Sequence, residues 1–329
     1  MNNNIVLDIN EDDINKLDYD LLAILLVDRT TKKNILWATN DYEGLGQDYA
    51  ASNEIRIHLI TGSNSKVIQP RVLKAQEQKA GRTRERAEVF TPSWVCNAQN
   101  NLVDEQWFGQ ENVFNISQGT MWSATQNKIV FAERGLKTWK RYVDNKRLEI
   151  TCGEAPYLVS RYDTVTGEMI PISERIGLLD RKLRVVNENT ESEDDWIKWA
   201  RRAIESVYGY EFQGDSLLLA RENVLYTFIE YYRDRFEKDP VTKLLKEIAL
   251  VVSWNLWQMD GFNYAIPFCK VSTEPYQMTL FDYSQDMDDL TVFDFSNLTD
   301  TKGQELCNIR DWRSKKTVLY KHLVEGEQK

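Results

Sequence analysis

The sequence predicts an α/β protein, and three observations support this prediction. Two long stretches repeat apolar side chains at helical spacing: the first opens at Gly214 and ends before Asp239-Pro240, where the second begins. Short strand candidates, Leu148–Ile150 and Trp254–Met259, precede and follow this helical region. The 329 residues are 42% hydrophobic and 28% charged, an ordinary globular balance that allows a sizeable core in one large domain or two modest ones.

The other predicted elements are shorter. Residues 21–27 favour a helix or a strand, and the apolar ranges 34–39 and 57–60 are strand candidates. Residues 94–103 favour a helix, whereas residues 163–189 contain Gly and Pro at intervals that favour turns and short strands.

Charge is distributed unevenly along an acidic chain. A protein that coats nucleic acid is expected to have a surface that is basic overall. The formal net charge of −10 excludes such a surface. Between Lys66 and Arg86, however, seven basic side chains accompany two acidic ones. This stretch is either a solvated helix face or an arm that contacts DNA phosphates. The candidate DNA-binding residues are Arg82, Arg84 and Arg86.

Several classes of site and location are disfavoured by composition. The four cysteines are far apart and only two histidines are present, so a zinc site, a disulfide framework and Ser-His or Cys-His catalysis are not expected. No apolar run is long enough to span a bilayer, and the start Met1–Asn4 lacks the features of a secretory signal. We therefore expect a cytoplasmic protein with no membrane partner.

Three segments carry residues suited to binding a nucleotide-like ligand. Phe90, Thr91 and Pro92 precede a predicted helix, although such a turn is also a common way to begin one. Glu149 ends a strand and is followed by Cys152-Gly153, where glycine allows a close backbone approach to a ligand.

The third segment is Asp260, at the end of a second predicted strand. A carboxylate there can accept hydrogen bonds from both hydroxyls of a ribose, although Asp-Gly is also a frequent turn pair.

Taken together and in this order, the three segments resemble those of N6-adenine DNA methyltransferases of restriction-modification systems. The resemblance covers roughly residues 80–265 and implies a Rossmann-like S-adenosylmethionine-dependent methyltransferase fold with insertions. It implies a methyltransferase-like domain over residues 81–329, preceded by an N-terminal α/β extension over residues 1–80. By the same resemblance, S-adenosylmethionine would be the cofactor.

The resemblance also implies roles for single residues. The Phe90-Thr91-Pro92 turn would cradle the methionine moiety, and Glu149 would bind its amino group. The Cys152-Gly153 backbone would pass beneath the cofactor, and Asp260 would hold the ribose. The expected partners are DNA and a restriction or specificity subunit.

The residues that carry out methyl transfer stay unassigned. The family places an Asn or Asp, two prolines and an aromatic residue around the flipped base. This chain contains no such string, and the nearest are Thr273–Tyr276 and Glu154–Tyr157. Two functions therefore remain open: a DNA (adenine-N6) methyltransferase or modification subunit, and an inactive methyltransferase-like protein that binds DNA or a partner in host defence or counter-defence. A nuclease is a third alternative.

Overall fold

The computed structural model describes residues 10–74, 91–269 and 305–325. Within these ranges the helices are α1 (Glu11–Leu17), α2 (Tyr19–Leu26), α3 (Ile57–Ile60), α4 (Ser93–Phe108), α5 (Trp139–Val143), α6 (Leu178–Asn189), α7 (Glu193–Glu205), α8 (Gly214–Phe236), α9 (Thr242–Asn255) and α10 (Tyr320–Glu325). The strands are β1 (Asn115–Gln118), β2 (Met121–Ala124), β3 (Arg147–Glu149), β4 (Val207–Glu211), β5 (Leu256–Gln258), β6 (Asn308–Asp311) and β7 (Lys316–Leu319).

A three-stranded parallel sheet in the order β3-β4-β5 organises the fold. Glu149 of β3 lies opposite Gly209, and Glu211 of β4 lies opposite Gln258 of β5. Parallel neighbours need long crossover connections, which α6 and α7 supply between β3 and β4, and α8 and α9 supply between β4 and β5. The α/β class predicted from the sequence is confirmed. The pairs β1-β2 and β6-β7 are separate antiparallel hairpins.

Helix α8 runs through the core and is buried on nearly all sides. Its one fully buried cation, Arg221, donates hydrogen bonds to the carbonyls of Leu25 in the last turn of α2, of Val27 just after it and of Leu256 in β5. A buried guanidinium needs such acceptors, and these join the N-terminal helices to the sheet. Among the described residues, α8 included, no helix is both long enough and apolar enough to cross a membrane.

The segment after α2 docks on the end of the sheet. The side chain of Gln258 accepts a hydrogen bond from the Leu36 amide at 2.7 Å and donates one to the Leu36 carbonyl at 2.8 Å. The Gly214 amide donates to the Trp37 carbonyl at 3.0 Å. A Cβ at Gly214 would lie only 1.9 Å from the Leu36 oxygen, so only glycine fits there. N-terminal and later residues share one hydrophobic core.

Several short elements differ from their predictions. Residues 57–60 form a helix, not the expected strand. The prediction was wrong because a four-residue apolar run carries too little periodicity to distinguish the two. Residues 34–39 contribute only isolated bridges at Asn34 and Leu36. Residues 178–189 form α6 where turns and short strands were expected. Gly177 is the N-cap of α6. The Gly177 amide donates to the Asp180 carboxylate, and a Cβ at Gly177 would collide with the Leu158 carbonyl.

Candidate functional site at the carboxyl edge of the parallel sheet

Polar side chains end all three parallel strands. Glu149 closes β3, Glu211 closes β4 and Gln258 closes β5, with Asp260 two residues further on. In open α/β sheets, ligands bind in the crevice beyond the carboxyl ends of the strands. This edge is therefore the first place to look for a binding site.

Glu149 is a buried carboxyl group in an unusual electrostatic setting. Its oxygens accept hydrogen bonds from the amides of Tyr157 at 3.3 Å and Leu158 at 3.1 Å. Burial raises the pKa of Glu149 to about 8, the two amide hydrogen bonds act against this rise, and the nearby Glu211 carboxylate adds to it. A cation brought to Glu149 would favour its ionised form, because an opposite charge compensates for lost hydration.

The loop after β3 folds over the end of β4. The Cys152 amide donates to the Tyr210 carbonyl at 2.8 Å, and the Gly153 amide donates to Oε2 of Glu211 at 2.9 Å. Gly153 has a φ of +53°, and a Cβ built on it would meet no atom within 4 Å. The backbone at Gly153 therefore adopts a conformation that favours glycine and has open space beside it.

Glu211 is the site residue that the sequence analysis missed. Besides the Gly153 amide, its carboxylate accepts hydrogen bonds from the amides of Phe212 at 2.9 Å and Gln213 at 3.2 Å. It thus connects the loop after β3 to the residues that precede α8. Strand β4, which carries Glu211, lies directly beside the strand of Glu149. The sequence pattern that could have predicted it is the run Val207–Glu211, which is rich in aromatic residues and ends in an acid.

The Thr91-Pro92 turn lies beside the Glu149 loop. Pro92 immediately precedes α4, and the Thr91 carbonyl accepts a hydrogen bond from the Thr164 hydroxyl at 2.9 Å. From α4, the Asn100 side chain donates a hydrogen bond to the Tyr157 carbonyl in the Glu149 loop at 3.0 Å. Below the turn, burial and the charge of Glu149 raise the pKa of the Cys96 thiol. The structure thus brings the first two predicted segments together.

Asp260 lies farther along the edge. Asp260 follows β5, which β4 separates from β3, the strand of Glu149. Its carboxylate accepts hydrogen bonds from the Phe262 amide at 2.9 Å and from the Asn263 side chain at 2.7 Å, and so closes its own turn. Its connection to the rest of the site runs through the Met259 amide, which donates to the Glu211 carbonyl at 3.0 Å.

Glu154, next to Gly153, is directed into the interior. It is buried and accepts hydrogen bonds from the Arg71 amide at 2.7 Å and from the Tyr162 hydroxyl at 2.5 Å. Its negative charge is therefore held by structural partners. The string Glu154–Tyr157 consequently serves the loop itself, since the Tyr157 amide is also bound to Glu149.

Some predicted residues lie outside the described ranges. These are Phe90, the string Thr273–Tyr276, and the basic residues Arg82, Arg84 and Arg86. Among the residues that are described, no group of three or more His, Cys, Asp or Glu side chains could hold a metal ion. Comparison of the chain with models of known families, with curated proteins and with solved structures found no match.

Proposed function

We propose that the carboxyl edge of the β3-β4-β5 sheet binds S-adenosylmethionine. On this proposal the protein is a DNA (adenine-N6) methyltransferase or the modification subunit of a restriction-modification system. The observation that supports it most is the arrangement of Glu149, Gly153 and Glu211: two buried carboxyl groups end adjacent parallel strands, with an open glycine loop between them. Nucleotide ligands bind at this place in α/β sheets.

The residues fit the chemical groups of the cofactor. Glu149 has lost hydration and has no cationic partner among its hydrogen-bond donors, so the cofactor's ammonium group would compensate it. Gly153 leaves space for the ligand to approach the backbone. For the ribose, Glu211 is better placed than Asp260, because it holds the Gly153 loop directly. The bound cofactor would supply the methyl group, while these residues bind and orient it.

A second function is favoured by one observation. The chain lacks the Asn/Asp-Pro-Pro-aromatic string, and in Glu154–Tyr157 the acid is held inside the protein. A neutral amino nitrogen of adenine needs hydrogen-bond acceptors placed beside it, and Glu154 is not available for that role. The alternative proposal is therefore a cofactor-binding protein without methyl transfer, which binds DNA or a partner subunit in host defence or counter-defence.

Calorimetry with S-adenosylmethionine and S-adenosylhomocysteine tests the shared part of both proposals. We expect the wild-type protein to bind, and Glu211→Gln to weaken binding by roughly 10- to 100-fold, the effect of losing a charged hydrogen-bond acceptor. Asp234→Asn, an exposed position in α8, removes the same charge and should leave binding unchanged. Thermal melting of each variant verifies that it is folded.

Transfer of a labelled methyl group to DNA then separates the two proposals. Cofactor binding together with transfer supports the methyltransferase, and binding without transfer supports the second function. If the folded wild-type protein binds neither nucleoside, both proposals fail.

A further inference from the structure

Five exposed cations lie within residues 128–141, outside the candidate cofactor site. They lie in the connection between β2 and α5 and on α5 itself, and we call them the 128–141 surface: Lys128, Arg134, Lys137, Lys140 and Arg141. Within this range the only acidic residue is Glu133. A local charge of about +4 therefore stands out against a chain whose net charge is −10.

None of these five cations makes a salt bridge with a described residue, in contrast to several cations on neighbouring helices. Arg201 and Arg202 in α7 and Lys246 in α9 each lie within 4 Å of carboxylates. The five members of the 128–141 surface have no such acidic neighbour among the described residues, although all are exposed. Like charges gathered without counter-charges repel one another. A polyanion bound there would remove that repulsion.

Aromatic rings contact two of the lysines, and one of the two, Lys140, lines a groove. The ammonium of Lys140 lies 5.5 Å from the ring centroids of both Trp139 and Trp199, and that of Lys137 lies 4.6 Å from the ring of Trp107. Such cation–π contacts restrict the lysine side chains before any partner binds. The groove has a volume of about 600 Å³, and its lining includes Lys128, Phe131, Trp139 and Lys140 together with the acidic Glu133.

The mixture of cations and apolar groups favours nucleic acid over an acidic peptide. Val130 and Leu136 stand between the cations with exposed fractions of 83% and 78%. Phosphates would neutralise the lysines, while bases and sugars would cover the aromatic and aliphatic groups. An acidic peptide offers the charge without the flat apolar surfaces.

We propose that the 128–141 surface binds the backbone of nucleic acid. Helix α4 begins at the Pro92 turn and ends beside Trp107, which Lys137 contacts. Its 16 residues span about 24 Å, so the surface lies about one helix length from the candidate cofactor site. One duplex of about seven base pairs covers that distance. The inference does not depend on cofactor binding.

Fluorescence anisotropy with labelled 20-mers, single-stranded and duplex, tests this proposal in the absence of cofactor. The variant carries Lys128→Gln, Lys137→Gln and Lys140→Gln together. The matched control removes the same charge at exposed lysines elsewhere: Lys33→Gln, Lys243→Gln and Lys316→Gln. We expect the variant to lose roughly 10- to 100-fold in affinity near 100 mM salt, and its salt slope to fall by about 2 on single strands and about 3 on duplex.

Three outcomes would overturn the proposal. The first is a wild-type protein that binds neither DNA at low salt. The second is an equal loss in both triple variants, because the effect would then come from net charge alone. The third is poly-glutamate competing as well as DNA at equal charge concentration, which would assign the surface to an acidic protein. Circular dichroism and thermal melting of the variants establish that they are folded.

Discussion

Glu149 is a buried carboxyl group whose pKa is raised to about 8 from its ordinary value of 4.5. We therefore expect Glu149→Gln to change how the free energy of unfolding depends on pH. Between these two pH values the folded protein holds a proton that the unfolded chain has released. The free energy of unfolding therefore falls as pH rises from about 4.5 to 8, and it levels off above the folded-state pKa.

The size of the effect follows from the same two values. Each pH unit within the window costs about 1.4 kcal/mol, so the complete window costs about 5 kcal/mol. Glutamine cannot ionise, and its loss of one acceptor for the amides of Tyr157 and Leu158 is independent of pH. Between pH 5.5 and 8.5 the stability of the variant relative to wild type should therefore improve by about 3 kcal/mol.

Urea unfolding at several pH values, followed by tryptophan fluorescence, measures this difference. Asp234→Asn, which removes an exposed carboxylate in α8, serves as the matched control. If the Glu149→Gln difference is constant with pH, then Glu149 is ionised in the folded protein and our account of its environment is wrong.

Three further predictions concern neighbouring features. Gly214→Ala should destabilise the protein by about 1–3 kcal/mol in urea unfolding, because its Cβ would collide with the Leu36 carbonyl; Gly44→Ala, which has open space, is the control. Asp260→Ala should weaken S-adenosylmethionine binding less than Glu211→Gln does, by about 1 kcal/mol or less in calorimetry, whereas a loss of about 3 kcal/mol would assign the ribose to Asp260 instead. Neutralising the three arginines between residues 82 and 86 together should lower the affinity for DNA and reduce the salt dependence of that affinity, as measured by anisotropy. An unchanged salt dependence would contradict this prediction. That variant replaces Arg82, Arg84 and Arg86.

Long periodic segments and clearly bounded strands could be predicted from the sequence, whereas short apolar runs without clear boundaries could not. Helix α8 and the strand candidate that became β3 were found because their patterns are extended or clearly bounded. Helix α4 was likewise anticipated behind Pro92. The run at 57–60 gave the wrong element, because its four residues fit a helix and a strand equally well and packing of Leu59 and Ile60 decides between them.

The missed elements changed the interpretation of the site. Helix α7 carries Trp196, Ala200, Ala203 and Ile204 at helical spacing behind the Ser192 cap, so its signal was present. Strand β4 follows it directly. Without β4, Asp260 was assigned to the second parallel strand, whereas the sheet order places it after the third. Sheet order depends on long-range pairing, which local sequence patterns do not contain.

Access to the carboxyl edge decides which of its ends can bind a ligand. At β5, both amide donors of Gln258 bind the carbonyls of Leu36 and Phe212, and its oxygen accepts from the Leu36 amide. The N-terminal segment therefore uses the polar side chain that ends β5. At β3, by contrast, Gly153 has open space beside it and Ile150 is 62% exposed. The open space at Gly153 and the engaged side chain of Gln258 favour the ends of β3 and β4 for a ligand that bridges two strands. This favours Glu211 over Asp260 as the ribose-binding acid, so Glu211→Gln should reduce affinity more than Asp260→Ala does.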